Sequence, residues 1–289
     1  MIRPVTIASD GLSARIDPLG AELVSLRDGH GSELLTPALP GHWTGHAPLL
    51  FPIVGRLNGD VLRLDGREYE MKQHGFARRQ EWKVLGAGLD AVTFALRDSE
   101  ATRAVYPFAF KMAVHYALDG ATLQVAVRVS NPGPAPLPMS FGFHPAFAWP
   151  LPFGCPREDH RIVFEREEGP QIAQLAAGLV AAQVPSPLRG RTLPLDDALF
   201  QHDALIWLPV ASQEVVYGAR KGPQLRVVFP DTPFLAVWSQ PGAGFVCMEP
   251  WHGHADPVGF TGDFRDKPGI VSVAPGAEWQ CTMMVTLED

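Results

Sequence analysis

The residues of this chain best suited to chemistry are two histidines and a glutamate set among glycines and aromatic rings. His74 stands in Gln73-His74-Gly75-Phe76-Ala77-Arg78, and His144 in Phe141-Gly142-Phe143-His144-Pro145-Ala146-Phe147. Glycine lets a ligand approach the backbone, an aromatic ring offers it a flat apolar surface, and imidazole exchanges a proton near neutral pH. Each histidine taken alone reads equally well as a buried ring bonded to a backbone carbonyl. Glu249 ends the apolar run Phe245-Val246-Cys247-Met248 and precedes Pro250-Trp251. A carboxylate in such company is costly to desolvate, so its pKa is expected to rise unless a cation or donors hold it. That is how a carboxylate becomes a useful general base. A strand-end glutamate pointing into solvent is the plainer alternative.

Arg56 follows the apolar run Phe51-Pro52-Ile53-Val54-Gly55, where a forked guanidinium could bind a sugar hydroxyl or a carboxylate, or close a strand end with a salt bridge. Asp203, before Ala204-Leu205-Ile206-Trp207, is a weaker feature of the same kind. His252-Gly253-His254-Ala255-Asp256 invites a metal reading, since His-x-His on a strand puts both rings on one face. Gly253 and Pro257 suggest a loop instead, and no third histidine has fixed spacing, so no metal site is expected there. Arg78-Arg79 and the run from Glu165 to Glu168 are read as solvated faces.

These residues must be positioned by strands. Val61-Leu62-Arg63-Leu64 and Arg67-Glu68-Tyr69-Glu70-Met71 flank Asp65-Gly66, a pair that tolerates the positive φ of a tight hairpin. Asp119-Gly120 repeats the signal between alternating Met112, Val114, Tyr116, Leu118 and Leu123, Val125, Val127, Val129. Trp82 to Leu85 pairs with Val92 to Leu96, and Leu225–Phe229, Phe234–Trp238, Phe245–Met248 and Cys281–Leu287 read as buried strands. Gln171 to Gln183 is the one stretch that suggests a helix, weakened by Gly178. Strands at this spacing predict an antiparallel sandwich or barrel with very little helix. The Pro-rich stretch Asn131 to Pro138 is too short for a linker, and residues 1–289 are expected to form one domain.

Composition narrows the function. The chain has 289 residues with 28 Gly and 28 Pro, and that much punctuation leaves little room for helical bundles or coiled coils. With Lys+Arg 24 against Asp+Glu 31, the net charge of -7 argues against nucleic acid or an anionic membrane as partner. No apolar run approaches the roughly 18 residues of a membrane helix, and Met1-Ile2-Arg3-Pro4 leads into Val5 without a signal-peptide core. The three cysteines, Cys155, Cys247 and Cys281, are odd in number and widely spaced, so a reducing cytoplasm is the expected compartment.

Taken in order, the segments resemble the aldose 1-epimerase (galactose mutarotase-like) family, in particular its bacterial branch associated with lactose utilisation. The likeness runs from Gly20-Ala21-Glu22-Leu23-Val24-Ser25-Leu26 through Pro48–Arg56, His74–Arg78, Phe141–Phe147 and Leu199–Leu205. It continues in Trp238–Gly242, Cys247–Trp251 and Thr261-Gly262-Asp263. Each segment is weak alone, and the ordered set is specific. The resemblance implies an antiparallel β-supersandwich with an open sugar cleft, and interconversion of α and β anomers of a monosaccharide through a ring-opened aldehyde without a cofactor. By motif it implies His144 as the acid toward the ring oxygen and Glu249 as the base toward the C1 hydroxyl. His74 and Arg56 would hold the sugar, Asp203 would bind hydroxyls, and Trp251, Phe143 and Phe147 would supply an apolar platform.

The chain departs from the pattern in two places. Gly-Phe-His-Pro-Ala-Phe replaces the Asn-His-x-Tyr-Phe of galactose mutarotases, so galactose preference does not carry over, and His252 stands where relatives often carry an aromatic residue. A carbohydrate-binding or sensing module without turnover is the competing reading, and it would need no acid–base pair. A hexose-phosphate mutarotase is a third, and it would call for clustered Arg and Lys. The sugar and the oligomeric state are left open.

Overall fold

The computed structural model describes residues 3–289, so Met1 and Ile2, where the reading of the N-terminus begins, lie outside the described residues. The protein is all-β, with 47% of residues in strands and 8% helical, and its sheets are antiparallel. The largest sheet has nine strands and runs from Thr192–Pro194 at one edge, through Gln224–Val228, Glu278–Glu288, Thr122–Ser130 and Lys111–Asp119, to Lys83–Ala87 at the other. A second sheet of eight strands carries Leu179–Pro185, Gln171–Ala176, Leu205–Trp207, Phe234–Trp238, Phe245–His252, Phe141–Phe143 and Leu49–Leu50 in that order, with Ala146–Ala148 also paired to Phe245–His252. Val5–Ala8, Leu12–Asp17 and Glu22–Asp28 form a smaller sheet.

Side chains alternate across a strand, and that parity decides where the site can be. Met112, Val114 and Tyr116 of the nine-stranded sheet share one apolar cluster with Leu235, Val237, Val246, Met248, Phe141 and Phe143 of the eight-stranded sheet. The other face of the eight-stranded sheet carries Ile206, Ala236 and Trp251 in one cluster and Ala146, Phe245 and Cys247 in another. Strand Phe245–His252 is therefore buried on both sides, with even positions in the main core and odd positions on the opposite face.

Three sequence expectations need adjusting. The stretch Gln171 to Gln183 is not a helix but a hairpin of Gln171–Ala176 and Leu179–Pro185. Its turn residues Ala177 and Gly178 have φ of 52° and 81°, a left-handed pair that ends any helix and suits a two-residue turn. The Asp119-Gly120 hairpin is displaced by one residue: Asp119 pairs with Thr122, so the turn is Gly120-Ala121. The one α-helix among the described residues, Glu100–Val105, went unpredicted; it is a single capping box in which Ser99 Oγ accepts from the Thr102 amide and Thr102 Oγ1 from the Ser99 amide. The Asp65-Gly66 hairpin stands as read, with Leu64 paired to Arg67.

Candidate active site

A cavity of about 400 Å³ opens on the face of the eight-stranded sheet away from the main core. Its lining includes His74, His144, Glu249, Trp251, Asp203 and Arg78. Glu249 and Trp251 reach it because they are odd positions of Phe245–His252. His144 reaches it because it follows Phe143, whose ring belongs to the main core. Gly142 pairs with Trp251 across the sheet, and a Cβ at Gly142 would lie 2.5 Å from the indole, so only glycine lets Trp251 lie flat on this strand.

The floor is a buried acid–base contact. His144 Nε2 lies 3.2 Å from Glu249 Oε2, and the residues are 7% and 2% exposed. Burial, reinforced by the Asp203 carboxylate, pushes the Glu249 pKa well above its ordinary 4.5. Burial likewise pushes His144 down from 6.5 to about 3. Burial disfavours charge on either group, so the pair keeps one proton between them over a wide range of pH. Trp43 stacks on His144 with ring centroids 4.9 Å apart, and Trp238 meets the same imidazole edge-on at 6.1 Å. The Trp43 amide donates to Gln240 Oε1 at 3.0 Å, which ties the loop bearing this indole to the loop after Phe234–Trp238.

His74 is held differently. Its Nδ1 accepts from the Gly55 amide at 3.2 Å and its own amide donates to the Gly55 carbonyl at 2.9 Å. With Nδ1 engaged as acceptor, the neutral ring carries its proton on Nε2 and is a donor. Burial, then the neighbouring His144, Arg78 and Arg79, hold His74 well below its ordinary 6.5. The turn that presents it is strained, with φ of 64° at His74 and 68° at Gly75. A Cβ at Gly75 would come within 2.2 Å of the Phe51 carbonyl, so this position excludes any other residue.

The loop beneath Gly55 is fixed by a buried ion pair. Lys267 Nζ lies 3.3 Å from Asp256 Oδ1, with side chains 0% and 3% exposed, and it also donates to the His254 carbonyl. Asp256 Oδ2 accepts from the Asn58 amide at 2.8 Å, and the Asp256 amide donates to the Arg56 carbonyl at 2.9 Å. Burial pushes the Lys267 pKa down to about 8, against the pull of Asp256. His252, His254 and Asp256 have separate partners: His252 packs edge-on against Trp279, while His254 Nδ1 donates to the Ala255 carbonyl at 2.7 Å.

Three expected contributors stand elsewhere. Arg56 does not line the cavity; its Nε and Nη2 donate to Asp60 at 2.8 and 3.1 Å and its Nη1 to the Ala177 carbonyl at 3.3 Å. Phe143 and Phe147 face the main core, because parity puts Gly142 rather than Phe143 toward the cavity. Their places are taken by Arg78, which the sequence offers beside Arg56 only for a phosphorylated sugar, and by Trp43 and Trp238, which it does not single out. Arg78, read as a solvated face, lines the cavity; its Nη2 donates to the Gln73 carbonyl at 3.0 Å and its buried Nε has no partner. Burial, then Arg79, lowers its pKa to about 10. Trp43 and Trp238, with Trp251, form the aromatic wall. Trp43 lies between Gly41 and Gly45, the same glycine-and-aromatic setting that singles out His74 and His144. Asp203 lines the cavity as an exposed residue in the left-handed region, φ 77°, with Oδ1 accepting from the Ala204 amide.

Among the described residues no helix is long and apolar enough to cross a membrane. Comparison with known proteins places the geometry in context. A family model described as aldose 1-epimerase matches residues 3–272. The chromosomal form of protein LacX from Lactococcus lactis subsp. lactis is 32% identical over 283 residues, covering 94% of this chain and 95% of that protein. Among solved structures, a galactose mutarotase related enzyme from Lactobacillus acidophilus superposes with a TM-score of 0.93 at 32% identity, covering 99% of this chain and 97% of that one. A galactose mutarotase-like protein from Lactobacillus casei ATCC 334 gives 0.92 at 29% identity, covering 99% and 100%.

Proposed function

Starting from a chain that belongs to the aldose 1-epimerase family, we propose that it interconverts the α and β anomers of a free aldose by acid–base ring opening and closure, with no cofactor, and that residues 1–289 act as one catalytic domain in the cytoplasm. The observation that carries this reading is the His144–Glu249 contact of 3.2 Å on the cavity floor. Ring opening removes a proton from the C1 hydroxyl and adds one to the ring oxygen, two atoms bonded to the same carbon. Two adjacent groups sharing one proton suit that exchange. Glu249 as carboxylate takes the hydroxyl proton, the C1–O5 bond breaks, and His144 as imidazolium protonates O5. The pair is left as neutral imidazole and carboxylic acid, the tautomer that burial favours. Rotation about C1–C2 and closure on the other face reverse both transfers. His74 donates from Nε2 to the sugar, Asp203 accepts from a hydroxyl, and the Trp43, Trp238 and Trp251 rings cover apolar C–H faces.

A non-catalytic binding module has no use for a buried pair that shares a proton, which favours the enzyme. A phosphorylated sugar would find Arg78 as the only guanidinium among the lining residues, since Arg56 is engaged by Asp60; neutral aldoses are therefore the expected substrates. Saturation-transfer NMR of anomer exchange across neutral and phosphorylated aldoses tests both points, and no acceleration of any aldose would defeat the proposal.

Arg78 should act on binding. Its unpartnered Nε can donate to a sugar oxygen, and a hydrogen bond from a charged group is worth about 1.5–3 kcal/mol, so Arg78→Ala is expected to raise KM about 10- to 100-fold. The kcat should change little, because a guanidinium does not release its proton. Loss of kcat at unchanged KM would place Arg78 in the chemical step instead.

The shared proton also fixes how the pair contributes to stability. Folded, the pair holds one proton from about pH 3 up to the raised Glu249 pKa. Unfolded, at ordinary values of 4.5 and 6.5, it holds two protons below the first, one between them and none above the second. Stability rises with pH wherever the unfolded chain binds more protons. The contribution of the pair therefore climbs as pH rises from about 3 to 4.5 and is then level until either the raised Glu249 carboxyl of the folded chain or the unfolded histidine gives up its proton. Urea unfolding in chelated buffer, wild type minus the His144→Asn/Glu249→Gln double variant, should trace that plateau. A difference that does not climb between about pH 3 and 4.5 would contradict it.

A further inference from the structure

One group of side chains on the cavity floor goes beyond the two that share a proton. A nitrogen of His144, the Cys247 sulfur and a Glu249 oxygen all lie within 4.8 Å of one another, and all three residues are buried. Cys247 and Glu249 are consecutive odd positions of Phe245–His252, so they project to the same face. The Cys247 thiol serves no step of the ring-opening chemistry and is buried beside Ala146, Ala243 and Phe245.

We propose that His144, Cys247 and Glu249 form a binding site for a borderline-soft divalent transition ion, Zn²⁺ above all, and that the ion and the sugar exclude one another. Imidazole, thiolate and carboxylate are the three ligand types that zinc takes, at roughly 2.0–2.3 Å. Tetrahedral geometry at those lengths separates ligand atoms by roughly 3.3–3.8 Å. The His144–Glu249 separation of 3.2 Å is close to the short end of this range, and the other gaps, none above 4.8 Å, need close by at most about 1 Å, within reach of rotamer adjustment. Thiolate and carboxylate together neutralise a divalent charge, which suits a site walled by Trp43, Trp238 and Phe245. His144 and Glu249 line the cavity, so a fourth ligand such as water would reach the ion from that side, the three-ligand arrangement found in reactive rather than structural zinc sites.

Two features hold the affinity below that of a structural site. His144 Nδ1 is buried without a partner, whereas strongly bound zinc usually has its imidazole ligands oriented through the far nitrogen. Arg78 shares the cavity and its positive charge opposes a second cation. Hard cations such as Mg²⁺ and Ca²⁺ prefer oxygen sets and should not bind.

Cobalt chloride added to the full-length, chelator-treated protein tests the ion site without any substrate, and only the exclusion of sugar rests on the mutarotase reading. The expected result is one Co²⁺ per chain, with the intense visible bands of four-coordinate cobalt and a near-ultraviolet thiolate-to-cobalt charge-transfer band. Zinc chloride should displace it and magnesium chloride should not. Cys247→Ala and the closer-sized Cys247→Ser should both lose the charge-transfer band and bind Zn²⁺ at least about tenfold more weakly, since losing a ligand costs more than losing a ligand's partner. In the anomer-exchange assay, wild type should be inhibited by Zn²⁺, and either variant should keep its basal rate and need at least about tenfold more Zn²⁺. Cobalt spectra without the charge-transfer band, or zinc binding and inhibition unchanged in both variants, would overturn the proposal.

Discussion

Glu249→Gln should lower the rate of anomer exchange by about 10²–10⁴-fold while leaving sugar affinity within a few-fold of wild type. The amide preserves the shape of the side chain, its place on strand Phe245–His252 and its ability to hydrogen-bond a hydroxyl, but it cannot accept the C1 proton. His144→Asn should produce a similar loss, because without the acid the ring oxygen leaves as an unprotonated alkoxide. The two substitutions combined should cost little more than either alone, since residues sharing one proton act as a unit. Saturation-transfer NMR for exchange and calorimetry for affinity separate the two quantities. Unchanged exchange in Glu249→Gln would reduce this carboxylate to a strand-end residue. Exchange lost together with all affinity would make it a binding group.

The largest effect on stability is expected at Lys267. Its side chain, in Asp266-Lys267-Pro268-Gly269, is fully buried against Asp256. Removing one partner of a buried ion pair leaves the other charge uncompensated, which costs about 3–5 kcal/mol. Lys267→Met should destabilise by that amount. Lys267→Met/Asp256→Asn should recover most of it, since the amide oxygen can still accept from the Asn58 amide and no charge is left behind. Urea denaturation of the two variants beside wild type makes the comparison. A double variant as unstable as the single would show that packing of the lysine stem, and not the charge, is what matters.

The strands themselves were legible because period-2 alternation is a local property. Met112 to Leu118 and Leu123 to Val129 announce a half-buried hairpin, and both are one. The all-β class followed from many such runs. His144, Glu249 and His74 were legible for a related reason: each is a polar group interrupting an apolar or glycine-rich segment. What the sequence did not disclose is which neighbour shares a face with them. Phe143 adjoins His144 in the chain, yet parity sends its ring to the opposite side, while Trp43, a hundred positions away, stacks on the imidazole. Arg56 and Arg78 follow similar apolar segments, and the presence of Asp60 four residues after Arg56 decides which guanidinium is tied to a carboxylate and which keeps an unpartnered Nε. The Gln171 to Gln183 segment is rich in alanine, and its left-handed turn at Ala177-Gly178 overrides that preference.

The parity of strand Phe245–His252 has an evolutionary corollary. Because even positions face the main core and odd positions the opposite face, where Glu249 and Trp251 line the cavity, selection on folding and selection on the cavity fall largely on different letters of the same eight-residue word. The neighbouring strands extend the division, with Ala236 and Ile206 on the cavity side and Leu235, Val237 and Trp207 in the core. Ala204 and Ile206 line the cavity outside the main core, so exchanges at these two positions reshape the cavity while leaving the packing between the two large sheets untouched. A lineage could drift from one sugar to another by such steps, and a laboratory library confined to these positions would sample specificity at little risk to the fold.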